Sequence, residues 1–447
     1  MNVKLLLQFY IASFVAHTQT LLLAMKHHRP FYLFTSYIVF VLYCWYYSYS
    51  LILILLPLFI YLISFIIETD DYPHTYYMKQ SPFSSKVLSV TPQLSSSYQC
   101  PLKPLSGHLL TVYTSQTDTT FSFSYSRTIV HCQDGGICGF DVLDSDLPVT
   151  APIIVFVPGA VGDKKSLYIK KAVELARRNS FRAIVFIKRG LSGIEVTTGK
   201  LYNAISCEDI YDALPIIHKQ FEQAQINIVG YSLGGSQAIR LSYKYSSDLL
   251  QFNVNSICAV CPVWGISAVE TPDLYAKPFI DEFKEILFSH KEVFEKATDK
   301  DGHPLYDLNA VNNAKTMKEL EKTLIAPMFG YKSVEAYYWD VEQWFQNLPC
   351  TRIPTYTINS FDDPVLNDQD YSYLRIKALC GFSPFVISSY TQRGGHCIYS
   401  ESLEVNTMSY ADRNVLEFIK TVSGLNQSGE LAVMRKEVEE KFKWFNE

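Results

Sequence analysis

The pattern of hydrophobic and polar positions divides the chain into an apolar N-terminal part and a longer part of mixed character. No charged residue occurs from Phe31 to Ile67. A helix that crosses a bilayer needs about 20 apolar residues, so we predict that residues 31–67 span a membrane. Their length fits one tilted crossing, or a hairpin of two crossings that turns near residues 48–50.

The flanks of this segment bear on orientation. Residues 1–30 form a weaker apolar segment that ends in a basic flank at 26–29, whereas acidic residues follow the span. The positive-inside rule places the basic flank in the cytoplasm. One crossing would put the rest of the chain in a lumen or outside, and two crossings would leave it cytoplasmic. We therefore expect an integral protein of an endomembrane, with the endoplasmic reticulum as the first candidate and the side left open.

Residues 68–106 differ in composition from the C-terminal part of the chain. The stretch 79–106 is rich in Ser, Pro, Thr and Gln, which predicts a linker or a loosely packed segment. From 107 to 447, short apolar, β-branched runs alternate with helical patterns, and this alternation predicts a mainly parallel sheet flanked by helices. The predicted strands lie at 121–131, 139–143, 152–157, 182–187, 256–260, 353–359 and 385–389, with a further strand that begins at 226 and helices at about 165–179 and 208–223.

The alternation stops between about 262 and 348, where the residues are charged and helical in pattern. An insertion at this place in the order of strands is typical of a lid over a site. A helical excursion without any gating role fits the same pattern.

A glycine-flanked serine follows the strand that begins at 226. The sequence Gly230-Tyr231-Ser232-Leu233-Gly234 has the Gly-x-Ser-x-Gly spacing of the nucleophile elbow of α/β-hydrolases. Only glycines two residues before and after the serine allow strand and helix to approach so closely. Ser232 is thus the candidate nucleophile, and the Leu233 N–H is a candidate donor to an oxyanion.

A second oxyanion donor is predicted after the strand at 152–157. Gly159 and Gly162 allow the backbone to turn there, and the Ala160 N–H is placed to complete an oxyanion hole.

Candidate acid and base residues follow the last two strands. Asp362 and Asp363 come after the strand at 353–359, and His396 comes after the strand at 385–389 in a glycine-rich loop. The order Ser232, Asp363, His396 is that of the α/β-hydrolase triad. We assign the acid to Asp363, with Asp362 as the alternative, because Asp363 begins an Asp-Pro-Val turn in which this fold presents its acid.

Charge and cysteine content limit the partners and cofactors that we expect for this protein. The net charge is −5 with a pI of about 6.1 and no long basic run, so nucleic acid is not an expected partner. Cys258 and Cys261 have Cys-x-x-Cys spacing but lie on an apolar strand, which favours core packing over a metal or redox site. Cys132 and Cys138 flank a turn and could form a disulfide if the domain is lumenal. The predicted chemistry needs neither metal nor organic cofactor.

From about Gly107 to the C-terminus the chain resembles the membrane-anchored α/β-hydrolase domain-containing proteins of the one-and-three type, a group that includes YheT-like esterases and fungal medium-chain ester synthases. The matching segments are 157–162, Arg189-Gly190, 230–235, 329–334, 359–365 and 394–396. Two departures concern substrate preference. Ala160-Val161 stands where Leu-Thr is common in the family, and Lys188 replaces the Asn that usually precedes Arg-Gly.

The resemblance implies hydrolysis or transfer of acyl groups on lipid-like esters. We therefore expect a membrane-anchored serine hydrolase that cleaves esters of acylglycerols, phospholipids or medium-chain fatty acids through an acyl-enzyme on Ser232. The alternatives are an acyltransferase that makes medium-chain esters and an inactive membrane scaffold.

Overall fold

The computed structural model describes residue 39 and residues 71–100, 106–115, 121–267, 271–366, 369–402 and 407–442. The segment 1–30 and the predicted span 31–67, apart from Val39, lie outside these residues. Among the helices that are described, none has the length and apolar content to cross a bilayer. The N-terminal anchor therefore stays a prediction.

A single mixed sheet organises the described residues. Its nine strands are β1 His74–Tyr77, β2 Tyr125–His131, β3 Ile137–Leu143, β4 Ile153–Val157, β5 Arg182–Ile187, β6 Ile226–Tyr231, β7 Val254–Val260, β8 Thr355–Ser360 and β9 Val386–Thr391. Their spatial order is β1-β9-β8-β7-β6-β4-β5-β3-β2. The six strands from β9 to β5 are mutually parallel, and antiparallel strands close both edges. The predicted, mainly parallel sheet is confirmed.

The central strands are buried on both faces, which explains their continuous apolar sequences. All five residues of β4 are buried. Ile154 and Phe156 pack into one hydrophobic cluster, whereas Ile153, Val155 and Val157 pack into another. Because successive strand side chains point to opposite faces, two separate cores cover the sheet.

Helices cover both faces of the sheet. In chain order they are α1 Pro82–Val90, α2 Ser106–Ser115, α3 Leu167–Arg178, α4 Glu208–Gln220, α5 Leu233–Lys244, α6 Ser246–Gln251, α7 Asp273–Ser289, α8 Lys291–Glu295, α9 Leu308–Asn313, α10 Met317–Leu320, α11 Ala326–Met328, α12 Val334–Val341, α13 Trp344–Asn347, α14 Gln369–Cys380, α15 Tyr410–Gln427 and α16 Glu430–Lys441. Helices α1, α3, α15 and α16 contribute to the first core, and α4, α5 and α6 to the second. The flanking helices that the pattern predicted are thus present.

Helices α7 to α13 form the insertion between β7 and β8. They share a hydrophobic cluster with residues between 187 and 205, to which Ile280, Phe283, Leu324 and Tyr337 contribute from the insertion. Residues 321–325 form a π-helical turn between α10 and α11. The insertion is helical, as the sequence indicated, and its role as a lid stays a prediction.

The segment assigned to a linker is folded where the structure describes it. Strand β1 pairs with β9 at one edge of the sheet, and α1 contributes Phe83 and Val87, both fully buried, to the first core. Two of the serines that suggested a linker form hydrogen bonds with the end of the chain segment before β9. Ser81 and Ser84 both donate to the Pro384 carbonyl. Widely spaced apolar residues anchor this segment, so its average composition was misleading, and residues 71–100 belong to the globular unit.

Candidate active site

Ser232 stands at a strained turn between β6 and α5. Its backbone has φ 54° and ψ −123°, a conformation that costs free energy for a residue with a side chain. A Cβ at Gly230 would lie 2.3 Å from the Gly234 carbonyl oxygen, and a Cβ at Gly234 would lie 2.3 Å from the Pro158 oxygen. Both positions therefore require glycine, which is the steric reason inferred from the sequence.

The structure brings Ser232, His396 and Asp363 together in one hydrogen-bonded chain. The Ser232 hydroxyl lies 2.8 Å from His396 Nε2, where it can donate to the ring. His396 Nδ1 donates to Asp363 Oδ2 at 2.7 Å. Asp363 is fully buried, and its other oxygen accepts from the Val365 and Leu366 N–H groups. These backbone hydrogen bonds fix the orientation of the carboxylate that accepts from the imidazole.

Asp362, the alternative acid, has a different partner. Its Oδ1 accepts from the Gly395 N–H at 2.9 Å, so it supports the backbone of the loop that carries the histidine. Adjacent residues after β8 point in different directions, and only Asp363 meets the His396 ring in the described contacts.

Two segments on the N-terminal side of β2 also support this loop, and sequence reasoning did not find them. In α2, Thr111 Oγ1 accepts from the His396 N–H at 3.0 Å and donates to the Gly107 carbonyl. Asp71, before β1, accepts from the N–H groups of Gln392 and Arg393, and its burial raises its pKa to about 7. These contacts join chain positions about three hundred residues apart, a separation that no local motif reveals.

The predicted oxyanion donors border one cavity with Ser232. Leu233 and Ala160 both line it. The loop after β4 comes close to the nucleophile, since a Cβ on Gly159 would lie 3.4 Å from Ser232 Cβ. The Gly159 N–H itself donates to Tyr168 Oη at 2.9 Å. This leaves the next N–H along the loop, that of Ala160, as the second donor expected for an oxyanion.

The cavity has a volume of about 590 Å³ and lies between the sheet and the helical insertion. Much of its lining is apolar, including Val263, Ile266, Phe279 and Leu366. Polar residues also line it, among them Glu321, whose carboxyl accepts a hydrogen bond from Tyr338. A cavity of this volume and lining suits an acyl chain next to the nucleophile.

Two groups of side chains are close enough to hold a metal ion. They are Cys261, His396 and Cys397, and Cys132, Cys138 and Asp209. Burial raises the pKa of the Cys397 thiol, and the hydrogen bond with Cys132 raises that of Cys138. Metals bind the thiolate, so the raised pKa values of Cys397 and Cys138 disfavour a metal at either group. Cys258 and Cys261 are buried in the first core, the position that the apolar strand predicted.

The parallel sheet, the strained elbow and the Ser232–His396–Asp363 chain together define an α/β-hydrolase. Sequence relatives support this class. Protein abhd-3.2 of Caenorhabditis elegans is 26% identical over 300 residues, which are 65% of this chain and 76% of that protein. Human phospholipase ABHD3 is 25% identical over 308 residues, 67% of this chain and 72% of its own. These relatives support the α/β-hydrolase superfamily, and the resemblance drawn from the motifs of the chain is confirmed.

A wider match covers more of the chain. Mouse monoacylglycerol lipase ABHD2 is 23% identical over 381 residues, 80% of this chain and 87% of that protein. Among solved structures, a putative aryl esterase from Burkholderia cenocepacia aligns with 67% of this chain and 100% of its own, at 16% identity and a TM-score of 0.43. No model of a protein family matches the chain.

Proposed function

We propose that this protein is a serine hydrolase that cleaves carboxylic esters of lipids through an acyl-enzyme on Ser232. The observation that carries the proposal is the hydrogen-bonded chain from Ser232 through His396 to Asp363, placed at a cavity with a largely apolar lining. Relatives named as a phospholipase and a monoacylglycerol lipase support a lipid ester as the substrate.

The geometry supports a two-step reaction. As Ser232 Oγ attacks the ester carbonyl carbon, His396 Nε2 takes the hydroxyl proton, and Asp363 stabilises the imidazolium that forms. The carbonyl oxygen becomes negative beside the Leu233 and Ala160 N–H groups. When the intermediate collapses, His396 returns the proton to the departing alcohol oxygen. Water then attacks the acyl-enzyme with the same base, which releases the fatty acid and restores Ser232.

We further propose that the enzyme works on a membrane, anchored through residues 31–67 in an endomembrane. The apolar stretch of the sequence and the lipid-directed names of the relatives support this location. An anchor would present the cavity to substrates that partition into bilayers.

The experiment compares wild-type protein with Ser232→Ala on a series of p-nitrophenyl and acylglycerol esters of increasing chain length. Removal of one triad member commonly costs several orders of magnitude in rate, so we expect at least a 10³-fold loss of kcat with an unchanged melting temperature. Ser246→Ala is a control for a serine away from the elbow. A folded Ser232→Ala protein that retains turnover would refute the proposal, and acyl transfer to added alcohol in preference to water would make the enzyme an acyltransferase.

A further inference from the structure

Lys188 is a buried lysine directly after β5, behind the loop that carries Ala160. Its side chain is 2% exposed. Nζ donates to the Pro158 carbonyl at 2.5 Å and to the Gly159 carbonyl at 2.9 Å. None of the carboxylates that the structure describes forms an ion pair with it, and burial lowers its pKa to about 7. An ammonium without a carboxylate partner is costly to bury, so its two backbone contacts call for an explanation.

The contacts fix two consecutive peptide units. In a trans peptide the C=O and the N–H point in opposite directions, and the described chain contains no cis peptide bond. With the Pro158 carbonyl turned towards Lys188, the Gly159 N–H points away from it, and there it donates to Tyr168 Oη. With the Gly159 carbonyl also turned towards Lys188, the Ala160 N–H likewise points away from the lysine. Ala160 borders the cavity that contains Ser232.

We propose that Lys188 is a positioning residue for the oxyanion hole. It holds the Pro158 and Gly159 carbonyls so that the Ala160 N–H is aimed at the oxygen that becomes negative beside Ser232. The inference rests on the proposed function, since that oxygen becomes negative only if Ser232 attacks an ester. Its physical basis is preorganisation: a donor that is already aligned needs no rearrangement in the transition state. Gly159 makes the loop intrinsically free to rotate, and the lysine restricts that rotation.

The chemistry of lysine suits this role, because its terminal nitrogen carries more than one hydrogen at the end of a long side chain. That side chain reaches both carbonyls at once.

The test compares Lys188→Met with Lys284→Met. Lys284 is a matched control, because its Nζ also donates to two backbone carbonyls, those of Asn312 and Ala314, in the helical insertion. Each variant is assayed for kcat and KM on a p-nitrophenyl ester. Each is also titrated with a trifluoromethyl ketone, which adds to Ser232 and places a negative oxygen in the hole.

We expect Lys188→Met to lower kcat and the affinity for the ketone together, about 10- to 100-fold, with KM unchanged, since loss of a whole oxyanion donor costs about 10²–10³. Lys188→Gln, which keeps an amide donor, should recover part of both losses. Lys284→Met should retain wild-type kcat and ketone affinity. A purely structural role for Lys188 would instead lower the melting temperature and leave kcat per folded molecule intact.

Wild-type kcat and ketone affinity in folded Lys188→Met protein would overturn the inference and leave the proposed function standing. If Lys188→Met does not fold, Lys188→Gln decides alone. Its side chain is one bond shorter, so a reduced kcat at unchanged KM supports the inference and a wild-type kcat overturns it. Wild-type protein that neither hydrolyses esters nor binds the ketone would overturn the proposed function and the inference together.

Discussion

Two adjacent aspartates after β8 show how one residue position decides a role. Asp363 meets the His396 ring, whereas Asp362 accepts from the Gly395 N–H. The carboxylate that contacts the imidazole fixes its tautomer and stabilises its cation. The other carboxylate supports the backbone of the loop that carries the histidine. The two residues therefore offer a matched pair for mutation, with the same chemistry and neighbouring positions.

We expect Asp363→Asn to lower kcat by about 10³- to 10⁴-fold, because an amide at this position favours the wrong tautomer of the histidine. Asp362→Asn should have a much smaller effect, since its side-chain oxygen can still accept from the Gly395 N–H. Steady-state kinetics and thermal unfolding of both variants check this. The reverse ranking of the two kcat values would move the catalytic acid to Asp362.

At the scale of elements, the sequence was sufficient to predict a strand or turn where local residues alone determine its structure. The buried strand β5 was predicted with the bounds that the structure gives, 182–187, and β4 and β6 were found by the same apolar, β-branched pattern. The elbow could be predicted because its glycines respond to a local steric conflict. Strand β1 was missed, because it is a short, half-exposed edge strand whose pairing with β9 is decided by contacts far along the chain. The supporting roles of Thr111 and Asp71 were missed for the same reason.

A buried glutamate in the π-helical turn at 321–325 should make the stability of the fold depend on pH. Glu321 begins this turn, is 6% exposed and accepts from Tyr338 Oη at 2.6 Å. Burial raises its pKa to about 7 from an ordinary value of 4.5. The folded state therefore binds this proton more tightly than the unfolded state. The resulting stabilisation is complete below pH 4.5 and is lost as the pH rises through 7, with an upper limit of about 3 kcal/mol.

Glu321→Gln keeps the acceptor for Tyr338 and removes the ionisation. We expect its melting temperature, relative to wild type, to rise between pH 5 and pH 8.5. Glu319→Gln is the control, because backbone N–H groups of Lys315 and Thr316 lower the pKa of Glu319 from its ordinary value of 4.5. Glu319 is therefore ionised in the folded and unfolded states throughout this pH range, and the difference between that variant and wild type should stay constant. A difference between Glu321→Gln and wild type that does not change with pH would contradict the assignment.

At the scale of the whole molecule, the catalytic unit begins earlier than its composition suggested. Residues 71–100 pack on the sheet, so only a few residues separate the predicted span at 31–67 from the first strand. A short connection would hold the globular unit close to the bilayer, whichever side it occupies. The positive-inside rule leaves one or two crossings open, and each predicts a different side.

The membrane prediction is tested by extraction and then by protease protection. Apolar burial does not respond to salt, whereas surface charge contacts do, so full-length protein should stay in the pellet through high-salt and carbonate washes. A variant that lacks residues 1–67 is the control and should move to the supernatant.

In sealed vesicles, protection of the 71–442 unit from added protease would show one crossing, and digestion would show two. A lumenal unit should also contain a disulfide between Cys132 and Cys138, whose sulfurs lie 3.6 Å apart, and mass spectrometry under non-reducing conditions would detect it. Full-length protein released by salt or carbonate would refute the integral anchor.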